Sequence, residues 1–242
     1  MTDIANKTIS QIVSDHFQTA RVFEKYRLDF CCKGKRPLVA ACEEMKIPVE
    51  PILQDLYECL SIEEQQPLFL DMSLEELTSY IVRVHHTYVK LSAIPISNYL
   101  LKVAGKHGDR FPYMKEVYGL FVQLINDLHD HMHDEEVCLF PAIRSLEQGI
   151  AANTPGPLSI DRMKQEHEDA GNITMKIRQL TNDYTPPAQT CTTFILTLES
   201  LKAFEEDLHK HVHLENNILF PRVASLLSTL DPLPVKDYAK IN

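Results

Sequence analysis

Glycine is scarce in this sequence, seven in 242 residues, and tryptophan is absent. Glycine usually makes up about 7% of a chain, so the shortage excludes a collagen-like repeat; hydrophobic residues at 44% exclude disorder and leave a globular, helical chain. Basic residues are also in the minority, 24 Lys and Arg against 34 Asp and Glu, for a net charge of −10. That balance excludes the broad basic face by which nucleic acid or an anionic membrane is held. No run reaches the roughly 18 apolar residues of a membrane span, and MTDIANKTIS lacks the charged and apolar regions of a secretory leader. The expected compartment is the cytoplasm, where Cys31, Cys32, Cys42, Cys59, Cys138 and Cys191 read as thiols rather than a disulfide framework. What is abundant is histidine, with eleven residues.

The length leaves room for one main core and a small unit, taking about 150 residues per domain. The first sixty residues read as short helices punctuated by Pro37, Pro48 and Pro51. Residues 62–71 have no helical apolar stripe and are the linker candidate, which divides the chain into a helical unit at 1–70 and a larger domain at 71–242. Ser73 and Glu76 form a capping box. Helical tracts follow at 74–93, 116–147, 159–181 and 192–227, separated by Pro95, AANTPGP and TNDYTPPAQT. The predicted fold class is all-α, an antiparallel four-helix bundle behind a small helical domain.

An internal repeat points to chemistry. DLHDHMHDEEVCLFP at 127–141 matches DLHKHVHLENNILFP at 207–221 in nine of fifteen positions. Pro141 and Pro221 predict a kink or a reset of the helix. Bundle cores are built from positions alternately three and four apart. That seam reads Leu124, Leu128, His131, Glu135, Cys138, Ala142 in one copy and Leu201, Phe204, Leu208, His211, Glu215, Ile218 in the other. The third tract contributes Met163, His167 and Ala170. In the first, Leu74, Leu77, Ile81, Val84 and Tyr88 form the stripe, with His85 beside it and His86 further round. His129, His133, His209 and His213 fall on the solvated side.

A carboxylate in an apolar core is costly unless paired or bound to metal. Four imidazoles and two carboxylates match nitrogen and oxygen ligation of two metal ions, with the glutamates as bridges, and exceed the four ligands of a structural zinc site. Bundle cores with paired Glu and His ligands are hosts for di-iron centres.

The residues resemble the hemerythrin-like iron–sulfur cluster repair proteins, the repair of iron centres family. The resemblance rests on Asp29-Phe30-Cys31-Cys32 followed by Gly34, the IVRVH segment ending in His85, HMHDEE and LFP at 131–141, QEHEDAG around His167, and HVHLENNILFP at 211–221. It implies a hemerythrin-like bundle with two non-haem irons on His85, His131, Glu135, His167, His211 and Glu215, the glutamates bridging. Six ligands carrying two negative charges leave two irons uncompensated, so an oxo or hydroxo bridge is expected. The implied role is repair of clusters damaged by oxidative or nitrosative stress, by iron donation to the damaged iron–sulfur proteins. Reduction of nitric oxide or peroxide at the centre, and binding or sensing of oxygen as in hemerythrin, are the alternatives; whether the chain is an enzyme, and whether it is a monomer or a homodimer, stay open.

Cys31 and Cys32 precede Lys33, Lys35, Arg36 and Pro37. The resemblance assigns them redox or iron-transfer chemistry, although Lys33 stands where many relatives have a small residue. Nearby positive charge and a helix start at Pro37 predict a lowered thiol pKa. Gly34 is expected to turn through positive φ.

Overall fold

The computed structural model describes residues 3–61, 68–150 and 157–229. Residues 62–67 of the expected linker and most of AANTPGP lie outside them. The described residues hold twelve α-helices and no named strand.

The first five helices are short: α1 (Asp3–Asn6), α2 (Ile9–Asp15), α3 (Ala20–Tyr26), α4 (Leu38–Met45) and α5 (Val49–Ser61). Thr8 caps α2, accepting from the Gln11 amide while the Gln11 side chain accepts from Thr8. Arg27 ends α3 in the left-handed conformation. The segment between α3 and α4, which carries Cys31 and Cys32, is stitched to the start of α2 by the amides of Ile9 and Ser10, which donate to the carbonyls of Arg36 and Gly34. Gly34 is needed there for close approach: an added Cβ would lie 2.3 Å from the Phe30 carbonyl oxygen. Its φ lies outside the positive range, which corrects the expected turn. Pro37 is the N-cap residue of α4, so the helix begins at Leu38, one position after the expected start.

The bundle comprises α6 (Leu74–Ile81) running into α7 (Thr87–His107), α8 (Tyr113–Asp134) into α9 (Phe140–Glu147), α10 (Pro157–Leu180), and α11 (Thr192–His213) into α12 (Phe220–Thr229). The predicted capping box at Ser73 and Glu76 is present. In the ring of long helices, α7 packs on α8 and α11, and α10 packs on the same two. The five residues between α7 and α8 reverse the chain, as an antiparallel bundle requires. Pro95 does not end the first tract. It lies on the exposed face of α7, which continues to His107.

Three joints are π-helical: Val82–His86, Glu135–Leu139 and Leu214–Leu219. In two of them the amide of Phe140 or Phe220 donates back five residues, to the carbonyl of Glu135 or Glu215. Proline one residue later lacks an N–H and clashes with a carbonyl four residues back, so a wider turn resets the helix there without ending it.

Each π turn shifts the register by a residue. After Ile81 the buried positions are His85, His86, Val89, Ala93 and Ile96, while Val84 and Tyr88 are only half-buried. After Glu135 they are Leu139, Phe140 and Ile143, so Cys138, expected in the seam, is exposed, and Ala142 gives way to Ile143.

The apolar core has two parts. One runs from the N-terminal helices through Val89, Leu100, Phe121, Leu124, Phe194 and Leu208. The other joins Phe69, Leu77, Ile81, Ile143, Met163, Leu219 and Phe220. Each large apolar side chain buried this way contributes about 1.5–3 kcal/mol. The histidines and glutamates of the seam form a polar layer between the two parts.

Candidate metal centre

Two groups of buried donors share that layer. His86, Glu135, His211 and Glu215 form one; His131, Glu135, His167 and Glu215 form the other. Both carboxylates belong to both groups, and their two oxygens divide between them. Glu135 Oε2 lies 3.3 Å from His86 Nε2, and its Oε1 lies 3.4 Å from His131 Nε2. Glu215 Oε1 lies 3.1 Å from His211 Nε2, and its Oε2 lies 3.0 Å from His167 Nε2. Within the groups His86 Nε2 is 3.2 Å from His211 Nε2, and His131 Nε2 is 3.0 Å from His167 Nε2.

Three of the four imidazoles are aimed from behind. Nδ1 of His86 meets Glu136 Oε1 at 2.7 Å, and that oxygen also accepts from Lys90. Nδ1 of His131 meets Glu166 at 2.7 Å, and Nδ1 of His167 meets Asn216 Oδ1 at 3.0 Å. An oxygen behind Nδ1 fixes the tautomer and points Nε2 forward, the arrangement typical of metal-ligating histidine.

The electrostatics reflect crowded charge. Burial opposes an imidazolium at His131, yet Glu135, backed by Glu166, raises its pKa to about 10. Burial and Glu215 favour a neutral Glu135, but His131 and His86 outweigh them and hold its pKa down. Glu215 is held well down by His211 and His167 against its own burial. Burial depresses His211, and the neighbouring His86 and His85 add to that. Even so, both Glu135 oxygens, Glu215 Oε2 and His211 Nδ1 are buried without a hydrogen-bond partner. Unsatisfied carboxylate oxygens in a dry core are costly. Convergent imidazole Nε2 atoms around carboxylates shared by two groups fit a pair of divalent or trivalent metal ions.

The structure therefore brings together His131, Glu135, His167, His211 and Glu215 from the expected set, and adds His86. His85, the expected first ligand, stands next to the group rather than in it. Its Nδ1 lies 3.1 Å from Asp207 Oδ1, and its ring stacks on His211 with centroids 5.6 Å apart. The cause is the π turn, which turns both residues inward; their exposures are 3% for His85 and 0% for His86.

A hemerythrin HHE cation-binding domain model matches residues 76–223, and a model described as a domain of unknown function, DUF542 (ScdA_N), matches residues 5–59. The iron–sulfur cluster repair protein YtfE of Citrobacter koseri is 32% identical over 85% of this chain and 90% of its own. This chain belongs to the hemerythrin-like iron–sulfur cluster repair family. The relative named iron–sulfur cluster repair protein ScdA from Staphylococcus haemolyticus is 29% identical over 90% of this chain and 98% of its own. YtfE of Enterobacter is 30% identical over 90% and 96%.

In this member of the repair family the N-terminal helices cover one copy of the repeat. His129 and His133 of the first copy are exposed, as expected. Their counterparts His209 and His213 are not, which corrects the solvated-face reading. His209 Nδ1 meets Glu24 at 2.6 Å, and fully buried His213 lies between Ser14 and the Phe30 carbonyl, each at 3.3 Å. Burial pushes His213 down to about 4. Asn217 donates to the Cys31 carbonyl at 2.9 Å. Helical periodicity, which describes one helix at a time, does not reveal such docking.

Asp29 Oδ1 accepts from the amides of Cys31 and Cys32 at 3.1 and 2.9 Å. The two sulfurs lie 3.6 Å apart, and with Asp29 they make a third group of donors. Contact with Cys32, then burial and the Asp29 charge, push the Cys31 thiol well up, which corrects the expected lowering. Of the basic neighbours, Arg36 pairs instead with Glu44. A cavity of about 160 Å³ lies behind the pair, lined by Cys31, Cys32, Lys33, His167, Arg178 and His209 among others. Cys42 and Cys59 are buried, and exposed Cys191 lies 3.3 Å from His107 Nε2. No helix among the described residues is long and apolar enough to cross a membrane.

Proposed function

We propose that this chain repairs iron–sulfur clusters damaged by oxidative or nitrosative stress, holding two iron ions in the polar layer of the bundle and giving iron up to damaged client proteins in the cytoplasm. The observation that carries this reading is the division of the Glu135 and Glu215 oxygens between two histidine pairs, together with the orphaned oxygens beside them. The names of the relatives support the client class. Iron bound by these residues would supply exchangeable Lewis-acid and redox character, and the charge that two glutamates leave over would call for an oxo or hydroxo ligand beside them.

The chain's own residues do the remainder. Glu136, Glu166 and Asn216 hold the imidazoles, and the apolar layers on either side exclude water. When cargo leaves, His131, with a pKa of about 10, takes up a proton and offsets part of the carboxylate charge. That lets the emptied site persist in the core. The ligand set is His86, His131, Glu135, His167, His211 and Glu215. Cys31 and Cys32, which share a cavity with His167, are assigned to delivery or thiol chemistry. Residues 1–70 are the delivery domain and 71–242 the iron-holding bundle.

The test is transfer. Iron-loaded full-length chain, incubated without oxygen with a cluster-damaged iron–sulfur dehydratase, sulfide and a thiol reductant, restores dehydratase activity as its own iron count falls. Recovery no faster than with an equal amount of free ferrous iron, or retention of all iron by the chain, would contradict the reading.

A further inference from the structure

We infer that Cys191 and His107 form a nucleophilic thiol–imidazole pair at the end of the bundle, where the chain takes up a low-molecular-weight disulfide as a mixed disulfide ahead of its other five thiols. The inference is independent of the two-iron reading.

The pair is made where one long helix ends beside the start of another. α7 and α11 pack together, with His107 as the last residue of α7 and Cys191 as the N-cap residue of α11. The 21 residues of α7 and most of the 22 of α11 lie between the pair and His86 and His211 of the polar layer, about 30 Å at 1.5 Å per residue. Cys191 Sγ lies 3.3 Å from His107 Nε2. The thiol makes no capping hydrogen bond to its own helix, which leaves the sulfur to the imidazole. The His107 ring is braced edge-on against buried Phe194, one turn into α11, with centroids 5.8 Å apart, and Phe111 packs edge-on against Phe194 at 5.3 Å. A nucleophile within hydrogen-bond reach of a base that a third group holds in place is the arrangement that activates a thiol.

The other cysteines lack it. Cys31, Cys42 and Cys59 are buried, and the sulfurs of Cys31 and Cys32 face each other beside Asp29. Cys138 is exposed like Cys191 but has no imidazole on its sulfur among the described residues.

In the step, the Cys191 S–H proton passes to His107 Nε2 while the Cys191 sulfur attacks one sulfur of the incoming disulfide. A new S–S bond forms to that sulfur, the disulfide's own S–S bond breaks, and the leaving thiolate takes up the proton. Cys191 is oxidised to the mixed disulfide and half of the reagent is reduced to free thiol, so no other oxidant is required. Negative charge develops at the N-terminal end of α11 and positive charge at the C-terminal end of α7, the helix ends whose dipoles favour each. An ordinary thiol is only a few per cent thiolate at pH 7, which leaves room for a gain of up to about thirtyfold; the lower nucleophilicity of a more readily formed thiolate trims this to about three- to tenfold.

The test treats full-length chain with oxidised glutathione at pH 7 and pH 9 without oxygen and follows each cysteine by mass spectrometry of peptides, with Cys138 as the exposed thiol of comparison. Cys191 should form its adduct about three to ten times faster than Cys138 at pH 7, and the ratio should narrow at pH 9, above the ordinary thiol pKa of about 8.5. His107→Gln keeps a polar side chain without a base, and should bring Cys191 down to the Cys138 rate at pH 7 while the Cys138 rate and the helical circular dichroism stay unchanged. Cys191→Ser should leave no fast adduct. A first adduct at Cys31 or Cys32, a Cys191 to Cys138 ratio near one at pH 7, or a ratio that neither pH nor His107→Gln moves would overturn the inference.

Discussion

Arg178 offers a stringent test of how the N-terminal helices and the bundle are joined. It lies on α10, and its guanidinium donates to Glu205 on α11 through Nε at 2.8 Å and Nη2 at 2.5 Å, with Glu24 of α3 3.6 Å away. The Glu205 side chain is only 3% exposed, against 17% for Arg178. Substituting Arg178→Met keeps the packing length but strands a buried carboxylate, and breaking such a pair costs about 3–5 kcal/mol. Glu205 has an escape. Burial already raises its pKa despite the opposing effects of His209 and Arg178, so without Arg178 it takes up a proton, which brings the expected loss nearer 2–3 kcal/mol.

The sign with pH follows. A carboxyl whose folded pKa exceeds its unfolded value binds more protons when folded, so stability falls as pH rises from the unfolded pKa through the folded one. The Arg178→Met deficit should be small near pH 4.5 and largest above neutrality. Urea unfolding of metal-free chain at pH 5 and 7.5 measures it. The double variant Arg178→Met/Glu205→Leu should regain most of the loss, because an apolar pair of similar volume tolerates burial. A deficit below about 1 kcal/mol at pH 7.5, where such a pair should matter most, or one equal at both pH values, would refute this reasoning.

Other outcomes follow from the same structure. His131 is raised to about 10 in the folded metal-free chain, so its contribution is complete below the unfolded pKa near 6.5 and lost as pH rises through 10. Melting of metal-free chain should fall from pH 7 to 10, by as much as about 4 kcal/mol at roughly 1.4 kcal/mol per pKa unit, whereas loaded chain should not share the loss. Exposed Cys138 and Cys191 should alkylate quickly at pH 7.5 and buried Cys31 slowly; Asn217→Ala removes a donor to the Cys31 carbonyl and should speed Cys31 alone, read by mass spectrometry of peptides. Gly34→Ala forces a Cβ onto the Phe30 carbonyl and should cost more than about 1 kcal/mol, seen as faster proteolysis of the N-terminal helices with the bundle intact.

Most of the centre was legible because α8 and α11 keep an unbroken α-helical register up to Glu135 and Glu215, so threes and fours reach the right ligands. Past those residues the count failed. Cys138 and Ala142 were misplaced by one position, and His86 was missed because it lies inside a π turn that no proline marks. The prolines after Leu-Phe flagged a reset at the other two joints but not its form. His209 and His213 were misread for another reason: helical periodicity describes one helix, whereas their burial comes from α2, α3 and the Phe30–Cys31 segment packed over the second copy of the repeat. The Cys31 thiol was misjudged because sequence proximity to lysines says nothing of the Asp29 carboxylate folded back onto it.

Glu135 and Glu215 each belong to both donor groups, so each should serve both ions of the proposed pair. Iron per chain, counted after anaerobic reconstitution and desalting of wild type, Glu135→Ala and Glu215→Ala, tests it most directly. Wild type should hold two ions, and each single variant should weaken both positions together. One ion in wild type, or the clean loss of one ion with the other undisturbed in both variants, would contradict it.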